Sequence, residues 1–379
     1  MTIGFDGKRA VFNGTGLGNY SRLVIDVLSE FYPDNHYILY TPKIKENPEL
    51  TALLCRPCVH LKAPHKAQLS GAYWRSVHGM LDDAKRHHVK LFHGLSGELP
   101  LDVAKSGIPS VLTVHDLIFK RFPQWYKPID RIIYDYKFKH ACHDATRIIA
   151  ISECTKREIM HYYHVPEQKI DVVYQGCNEI FRKPVPQELT EHVRAKYHLP
   201  KRFILNVGTV EPRKNVMLAV KALEHIADKD IRLVIVGHHT KYYNEVLAYA
   251  KEHGLGHRIF ASRVRTEHLP AVYHMAEAFV YPSRFEGFGI PILEALCCGT
   301  PVIAATGSCL EEAGGPGTIY VDPDSVSEMT AALDRVLSDS ELRRRMIEQG
   351  LEFSTRFDRH LMADALLDVY RRAQSEARR

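Results

Sequence analysis

Short, wholly apolar runs alternate with longer stretches of helical period along the whole chain. The runs Tyr37–Tyr40, Val111–Val114, Ile148–Ile151, Phe203–Val207, Leu233–Val236 and Ala278–Tyr281 are rich in β-branched and aromatic residues. Such runs predict strands buried on both faces. Between them, Tyr20–Phe31, Glu153–Tyr163, Val216–Ala227 and His268–Met275 carry apolar positions at helical spacing. Strand–helix alternation of this length predicts an α/β protein with parallel sheets covered by helices on both faces. The alternation runs through twice. A polar stretch with two prolines, Asn178–Pro186, interrupts it, which sets two domains, 1–185 and 186–379. A last helix is expected at about 357–373, with Leu361, Ala365, Leu366, Val369 and Tyr370 on one face. The basic tail from Ser375 should fray.

Size and composition fit this picture. A chain of 379 residues with 45% hydrophobic content is large enough for two cores. No apolar run approaches the roughly 18 residues that span a bilayer. The opening Met1–Asp6 carries an acid where a secretory signal needs basic and then apolar residues, so a cytoplasmic location is expected. The net charge of +5 is unevenly placed: residues 1–200 hold roughly 27 Lys/Arg against 21 Asp/Glu. The surplus, concentrated between about 51 and 150, suits anionic lipid head groups or a phosphorylated lipid carrier. Nucleic acid is not expected, since no recognition helix or stacking motif accompanies the charge. The eight cysteines lack a framework spacing. Cys55 and Cys58 with His60 make only half of a structural metal site, and no second pair follows nearby.

The densest chemistry lies at 283–302, SRFEGFGIPILEALCCGTPV. Glu286 precedes a glycine-rich turn, Gly287-Phe288-Gly289, and Glu294 follows it about one turn into a helix predicted to begin near Ile290. Glycines let the backbone approach a ligand, and Pro291 suits a first helical turn. The positive end of the helix then faces the turn, and an anion is the natural guest. Carboxylates pair well with hydroxyls. Two acids around an anion site therefore suit a ligand with phosphate in the middle and hydroxyls at both ends, a nucleotide sugar.

This segment resembles the E-x7-E signature of retaining glycosyltransferases with the GT-B fold, in particular glycosyltransferase family 4. The likeness extends from about residue 10 to residue 360, closer in the second half than in the first. It implies two Rossmann-like doubly wound domains facing across a cleft, with the acceptor on the first and the donor mostly on the second. It also implies that the final helix crosses back to the first domain. By the same resemblance Glu286 contacts the donor sugar and Glu294 the ribose. The backbone of Gly287, Phe288 and Gly289 serves the diphosphate.

Other motifs fit around this one. Gly14-Thr15-Gly16-Leu17-Gly18 opens the helix at Tyr20, and in the resembled family such a loop lies beside the donor diphosphate and acceptor, here through Gly16 and Gly18. A dinucleotide-binding dehydrogenase would need an acid at the end of the next strand, where this chain has Tyr40-Thr41-Pro42. Arg213 and Lys214 follow the first strand of the second domain and could neutralise a departing diphosphate. Lys214 falls on the family's lysine, whereas Thr209 stands where many members carry an arginine, a charge that Arg213 could supply instead. His115, at the end of the Val111–Val114 strand, matches a histidine that meets the donor sugar. His93 is a second strand-end candidate, for the acceptor, and Ser152 reads as a helix cap.

The resemblance thus implies a retaining hexosyltransferase acting by front-face attack, with double displacement as the other route. Stretches such as Phe92–Ser96 and Val114–Phe119 resemble bacterial mannosyltransferases of surface-polysaccharide assembly, which favours GDP-mannose as donor and a glycan or lipid-linked saccharide as acceptor. No D-x-D-type acidic element stands at a strand end, so no metal or other cofactor is expected. The alternatives are a GT-B nucleotide-sugar epimerase and a non-catalytic nucleotide-sugar-binding protein.

Overall fold

The computed structural model describes residues 1–65, 71–77 and 79–377. It contains two compact units, Met1–Gly176 with Asp358–Arg379, and Cys177–Phe357. Each is built on one parallel sheet, as the alternation of apolar runs and helical stretches requires.

The first unit holds β1 (Thr2–Asp6), β2 (His36–Tyr40), β3 (Val59–Lys62), β4 (Leu91–Gly94), β5 (Ser110–Val114), β6 (Arg147–Ala150) and β7 (Ile170–Val172). Their order is β3-β2-β1-β4-β5-β6-β7. The second holds β8 (Phe203–Val207), β9 (Arg232–Val236), β10 (Ile259–Ser262), β11 (Ala278–Tyr281), β12 (Val302–Ala305) and β13 (Ile319–Val321), ordered β10-β9-β8-β11-β12-β13. Both are doubly wound α/β sheets. The strand order reverses between β1 and β4 in one and between β8 and β11 in the other. Ligands in such sheets lie beyond the carboxyl ends of the strands at that reversal.

The central strands are apolar on both faces because helices cover both faces. β5 and β6 are buried throughout, as is β11. The edge strands carry a weaker apolar signal: β3 alternates buried and exposed positions, and β7 and β13 have three residues each. The helix at Gly16–Phe31 begins four residues ahead of the expected Tyr20, since its first turn is glycine-rich and carries little apolar signal. Ser152 caps the Glu153–Tyr163 helix by accepting the Thr155 N–H at 3.0 Å. The final helix, Arg359–Glu376, packs within the first unit. Arg359 pairs there with Asp26 at 2.8 Å and with Glu30, and Tyr32 donates to Asp364. The helix continues past Ser375, and Arg378 and Arg379 lie outside the described residues. Among the described residues no helix is long and apolar enough to cross a membrane.

Candidate functional site

In the second unit the two loops that leave the reversal point build one charged cluster. The loop after β8 contributes Glu211, Arg213 and Lys214, the last two on a short helical turn, Pro212–Lys214. The loop after β11 contributes Ser283 and Glu286. A backbone hydrogen bond from Arg284 N–H to Arg213 O, 2.9 Å, ties the loops together. Glu286 is the hub. Its Oε1 accepts from Lys214 Nζ at 2.8 Å, Ser283 Oγ at 2.8 Å and Tyr281 OH at 3.0 Å, while Oε2 accepts from Arg213 Nη1 at 2.8 Å. Arg213 also reaches Glu211 and the Phe285 carbonyl, both at 2.6 Å. Lys214 donates to Tyr281 OH at 2.6 Å.

Burial alone would raise the Glu286 pKa, its side chain being only 12% exposed. The charges of Lys214 and Arg213 overcome that and hold it at about 2. Glu286 is therefore a carboxylate at any working pH and cannot serve as a general acid. With three donors on Oε1, its remaining acceptor capacity lies on Oε2. Arg213 stands in the cluster although it does not occupy the position where Thr209 departs from the family pattern.

The glycine turn is held from below. Cys309 Sγ lies 2.9 Å from the Glu286 carbonyl and 3.0 Å from that of Phe288. Gly289 caps the helix Ile290–Cys297 with φ 124° and ψ 44°, a conformation closed to side chains. The Phe288 side chain is buried and meets Phe357 edge-on, ring centroids 5.4 Å apart. Phe288 thus commits its ring to packing, and any ligand contact falls to its main chain.

Glu294 sits in a different setting. Tyr273 OH donates to its Oε2 at 2.9 Å, and no ion pair reaches it among the described residues. Burial raises its pKa to about 7, against the opposing Tyr273 hydrogen bond. It is an acceptor of hydroxyl groups above that pH and increasingly a donor below it.

The first unit places His115 just past β5. Its Nε2 hydrogen-bonds the Leu95 carbonyl at 2.9 Å, which fixes the proton on Nε2 and leaves Nδ1 as an acceptor. The Tyr20 ring meets it edge-on at 4.5 Å. Burial lowers its pKa to about 4, outweighing the carbonyl bond that favours the charged form. His115 is a neutral acceptor. His93, by contrast, has no exposed surface. Its Nδ1 is 2.7 Å from Tyr370 OH and its Nε2 2.8 Å from Thr113 Oγ1. Both nitrogens are spent inside the fold, so His93 joins β4 to the final helix and offers nothing to an acceptor.

The glycine loop divides in the same way. A methyl group on Gly18 would lie 1.7 Å from the Asn13 carbonyl oxygen, whereas one on Gly16 meets nothing within 4 Å. Gly18 is required by packing; Gly16 has open space. At the β1/β4 reversal the structure adds a cluster that the sequence reading missed. Arg75 bridges Asp6 at 2.6 Å and Glu98 at 2.5 Å, and Lys137 approaches Glu98 at 3.5 Å. Tyr273, Tyr281, Ser283 and Cys309 were missed as well. A hydroxyl at a strand end was the one sequence signal, and Tyr281 and Ser283 carry it. Among the described residues no three of His, Cys, Asp and Glu are grouped to hold a metal. Cys58 is buried while Cys55 is exposed.

Comparison with known proteins places this geometry. Residues 26–179 match the model described as Glycosyltransferase Family 4, and residues 190–353 the model described as Glycosyl transferases group 1. The O-antigen chain mannosyltransferase B of Escherichia coli is 29% identical over 288 residues, 74% of each chain. The serotype-specific mannosyltransferase WbdA of the same species is 28% identical over 73% of this chain, which spans only 36% of that longer protein. Among solved structures, Anabaena Alr3699/HepE in complex with UDP-glucose matches with a TM-score of 0.77 at 17% identity, covering 98% of this chain and 100% of that one. WaaG, described as a glycosyltransferase involved in lipopolysaccharide biosynthesis, gives 0.71 at 16% identity, over 97% and 99%. Two matched family models, one on each sheet, and the reversal-point cluster of the second sheet lead to one conclusion: the chain belongs to the family 4 glycosyltransferases of GT-B fold.

Proposed function

We propose that the protein is a retaining hexosyltransferase that transfers mannose from GDP-mannose to a glycan or lipid-linked saccharide in the synthesis of a cell-surface polysaccharide. The observation that carries the reading is the Glu286 carboxylate held between Lys214 and Arg213 at the amino end of the Ile290–Cys297 helix. The names of the E. coli relatives support mannose and a surface glycan.

Each residue takes a role that its surroundings permit. An ammonium group has three donors, and the contacts with Glu286 and Tyr281 use two of those on Lys214. The third serves the diphosphate, together with the helix end and the main chain of Gly287, Phe288 and Gly289; Gly16, with open space around it on the first unit, is assigned to a ligand there. Glu286 accepts a sugar hydroxyl through Oε2, and Glu294 accepts from the ribose. His115 is assigned to a ligand hydroxyl through Nδ1. A carboxylate pinned by two cations is a weak nucleophile, which favours front-face attack over double displacement. In that step the sugar C1–O bond to the diphosphate breaks as the acceptor oxygen bonds C1 on the same face. The acceptor's proton passes to the departing phosphate oxygen. Lys214 and Arg213 supply the positive charge for this departure, so activity is expected to survive EDTA. We place the protein on the cytoplasmic side of a membrane, with anionic head groups meeting its basic first unit.

Incubating the purified chain with GDP-mannose and with UDP-glucose, each with and without a membrane extract of lipid-linked saccharides, tests the reading. Acceptor-dependent incorporation of mannose with an α anomeric linkage by NMR is expected. An epimerised nucleotide sugar formed without acceptor, or binding without turnover of any donor, would overturn it.

A further inference from the structure

The Glu153–Tyr163 helix of the first unit buries Cys154, Thr155, Glu158 and Ile159. Cys154 and Ile159 are the residue types that packing asks for. Thr155 and Glu158 are not, and both meet one segment, the loop that leaves β5 with His115 at its start. Thr155 Oγ1 donates to the His115 carbonyl at 3.2 Å, and Ser152 Oγ donates in turn to Thr155 Oγ1 at 3.0 Å. Three positions on, Glu158 is 5% exposed. Arg121 Nη1 stands 3.6 Å from its Oε1, and the Leu117 N–H faces the same carboxyl group. Asp116 lies close enough to oppose its charge, and accepts the Ile118 N–H at 3.1 Å where the short turn Ile118–Arg121 begins. These contacts span residues 115–121, the segment that sets where His115 stands.

Stability does not explain the acid. Neither oxygen of Glu158 has a well-formed hydrogen bond, and a carboxyl group buried in that state is destabilising. Burial raises its pKa to about 7 although Arg121 opposes the shift. An apolar side chain of similar length would suit the packing better. A residue that breaks the packing rule beside the carboxyl end of a central strand, where ligands of such sheets lie, is expected to serve function. Here the acid attracts Arg121 and the Leu117 N–H in a buried setting that strengthens such contacts. Thr155 meanwhile fixes the carbonyl of His115 itself. The imidazole is anchored separately, by Nε2 on the Leu95 carbonyl. Main chain and ring are thus held from two sides, which leaves Nδ1 one direction to point.

We infer that Thr155 and Glu158 are positioning residues for His115, holding its loop so that Nδ1 is aimed at the ligand hydroxyl during transfer. This rests on the contact proposed above for His115 and adds the residues that aim it.

Kinetics, thermal melting and the nitrogen NMR signal of the His115 ring test it together. Glu158→Met should lower kcat by about fivefold, bounded by the roughly tenfold loss expected of His115→Phe. Donor KM should stay within twofold, and the melting temperature should equal or exceed that of wild type. In a His115→Phe background the same substitution should lower kcat by less than about 1.5-fold, because it acts through the histidine. Thr155→Val keeps the volume and removes the hydroxyl on the His115 carbonyl; it should repeat this pattern in kcat, and it decides the matter if Glu158→Met does not fold. A loss that persists in the His115→Phe background, or kcat within twofold of wild type in both variants, overturns the inference. The ring signal, assigned by its absence from His115→Phe, needs neither donor nor acceptor and should move in both variants. An unmoved signal in both overturns the inference, whereas a moved signal in a chain that transfers no sugar overturns the transfer reading alone.

Discussion

The reversal point of a doubly wound sheet occurs twice in this protein, and the two copies carry different chemistry. Both place an arginine between two acids: Arg75 between Asp6 and Glu98 in the first, Arg213 between Glu211 and Glu286 in the second. The second adds Lys214 directly on Glu286 and the amino end of a helix at Gly289. In the first, His93 in β4 and His115 just past β5 are both neutral because burial disfavours their charged forms. One edge gathers two cations on one ionised acid; the other balances its arginine between two acids and adds the neutral Nδ1 of His115 as an acceptor. In the proposed reaction, departure of a diphosphate is assigned to the former and recognition of a hydroxyl to the latter. The shared topology fixes where a ligand can lie, and the loops decide which ligand.

The comparison breaks most readily at Lys214. Lys214→Ala should lower kcat by about a hundredfold or more, the size of effect seen when a group stabilising a developing charge is removed. Steady-state transfer kinetics at saturating donor check this, and a loss below threefold would move the leaving-group role elsewhere. Glu286→Gln should follow. It keeps the shape but leaves Arg213 and Lys214 without their counter-charge, at a cost of about 3 kcal/mol to the second unit. Calorimetry should show that unit melting earlier at pH 7. Since the carboxylate's pKa is depressed to about 2, its stabilisation is full above the ordinary carboxylate range and fades as pH falls toward 2. The gap between variant and wild type should therefore close on acidification.

Glu294 gives a third test, read from pH. With its pKa raised to about 7, the acceptor form dominates at pH 8 and the protonated form at pH 6. Donor KM should rise by up to about tenfold across that interval, the limit set by the change in ionised fraction. In Glu294→Gln the rise should vanish. A profile that persists in the variant would assign the titration to another group. His115 provides the contrast, since its pKa of about 4 predicts no inflection from this residue between pH 6 and 8. His115→Phe should cost about tenfold in transfer without changing that profile. The smallest effect expected lies in the glycine loop. Gly18→Ala should destabilise the first unit by about 2 kcal/mol by overpacking against the Asn13 carbonyl, whereas Gly16→Ala should alter stability by about 0.5 kcal/mol or less. Equal shifts in the two thermal melts would contradict the packing account.

Much of this protein was written into local sequence. Apolar runs flanked by helical periods specify α/β units because a strand covered on both faces has no polar side to keep. The helix start at Ile290 and the cap at Ser152 follow from glycine, proline and serine acting within one turn. Glu286, Lys214, Arg213 and Glu294 stood out because their charges flank a predicted strand–helix turn. The short strands at the sheet edges carried too few residues to show a period. Only the folded chain decided what those side chains touch. Glu286 and Lys214 are 72 positions apart, and their pairing depends on β8 and β11 being neighbours in the sheet. His93 and His115 look alike as strand-end histidines, yet one spends both nitrogens on Thr113 and Tyr370 while the other keeps Nδ1 for a partner. Periodicity reports which side of an element is buried, and that is a local property. Ion pairing, tautomer and pKa depend on groups brought together across the sheet, and those distances exist only once the chain has folded.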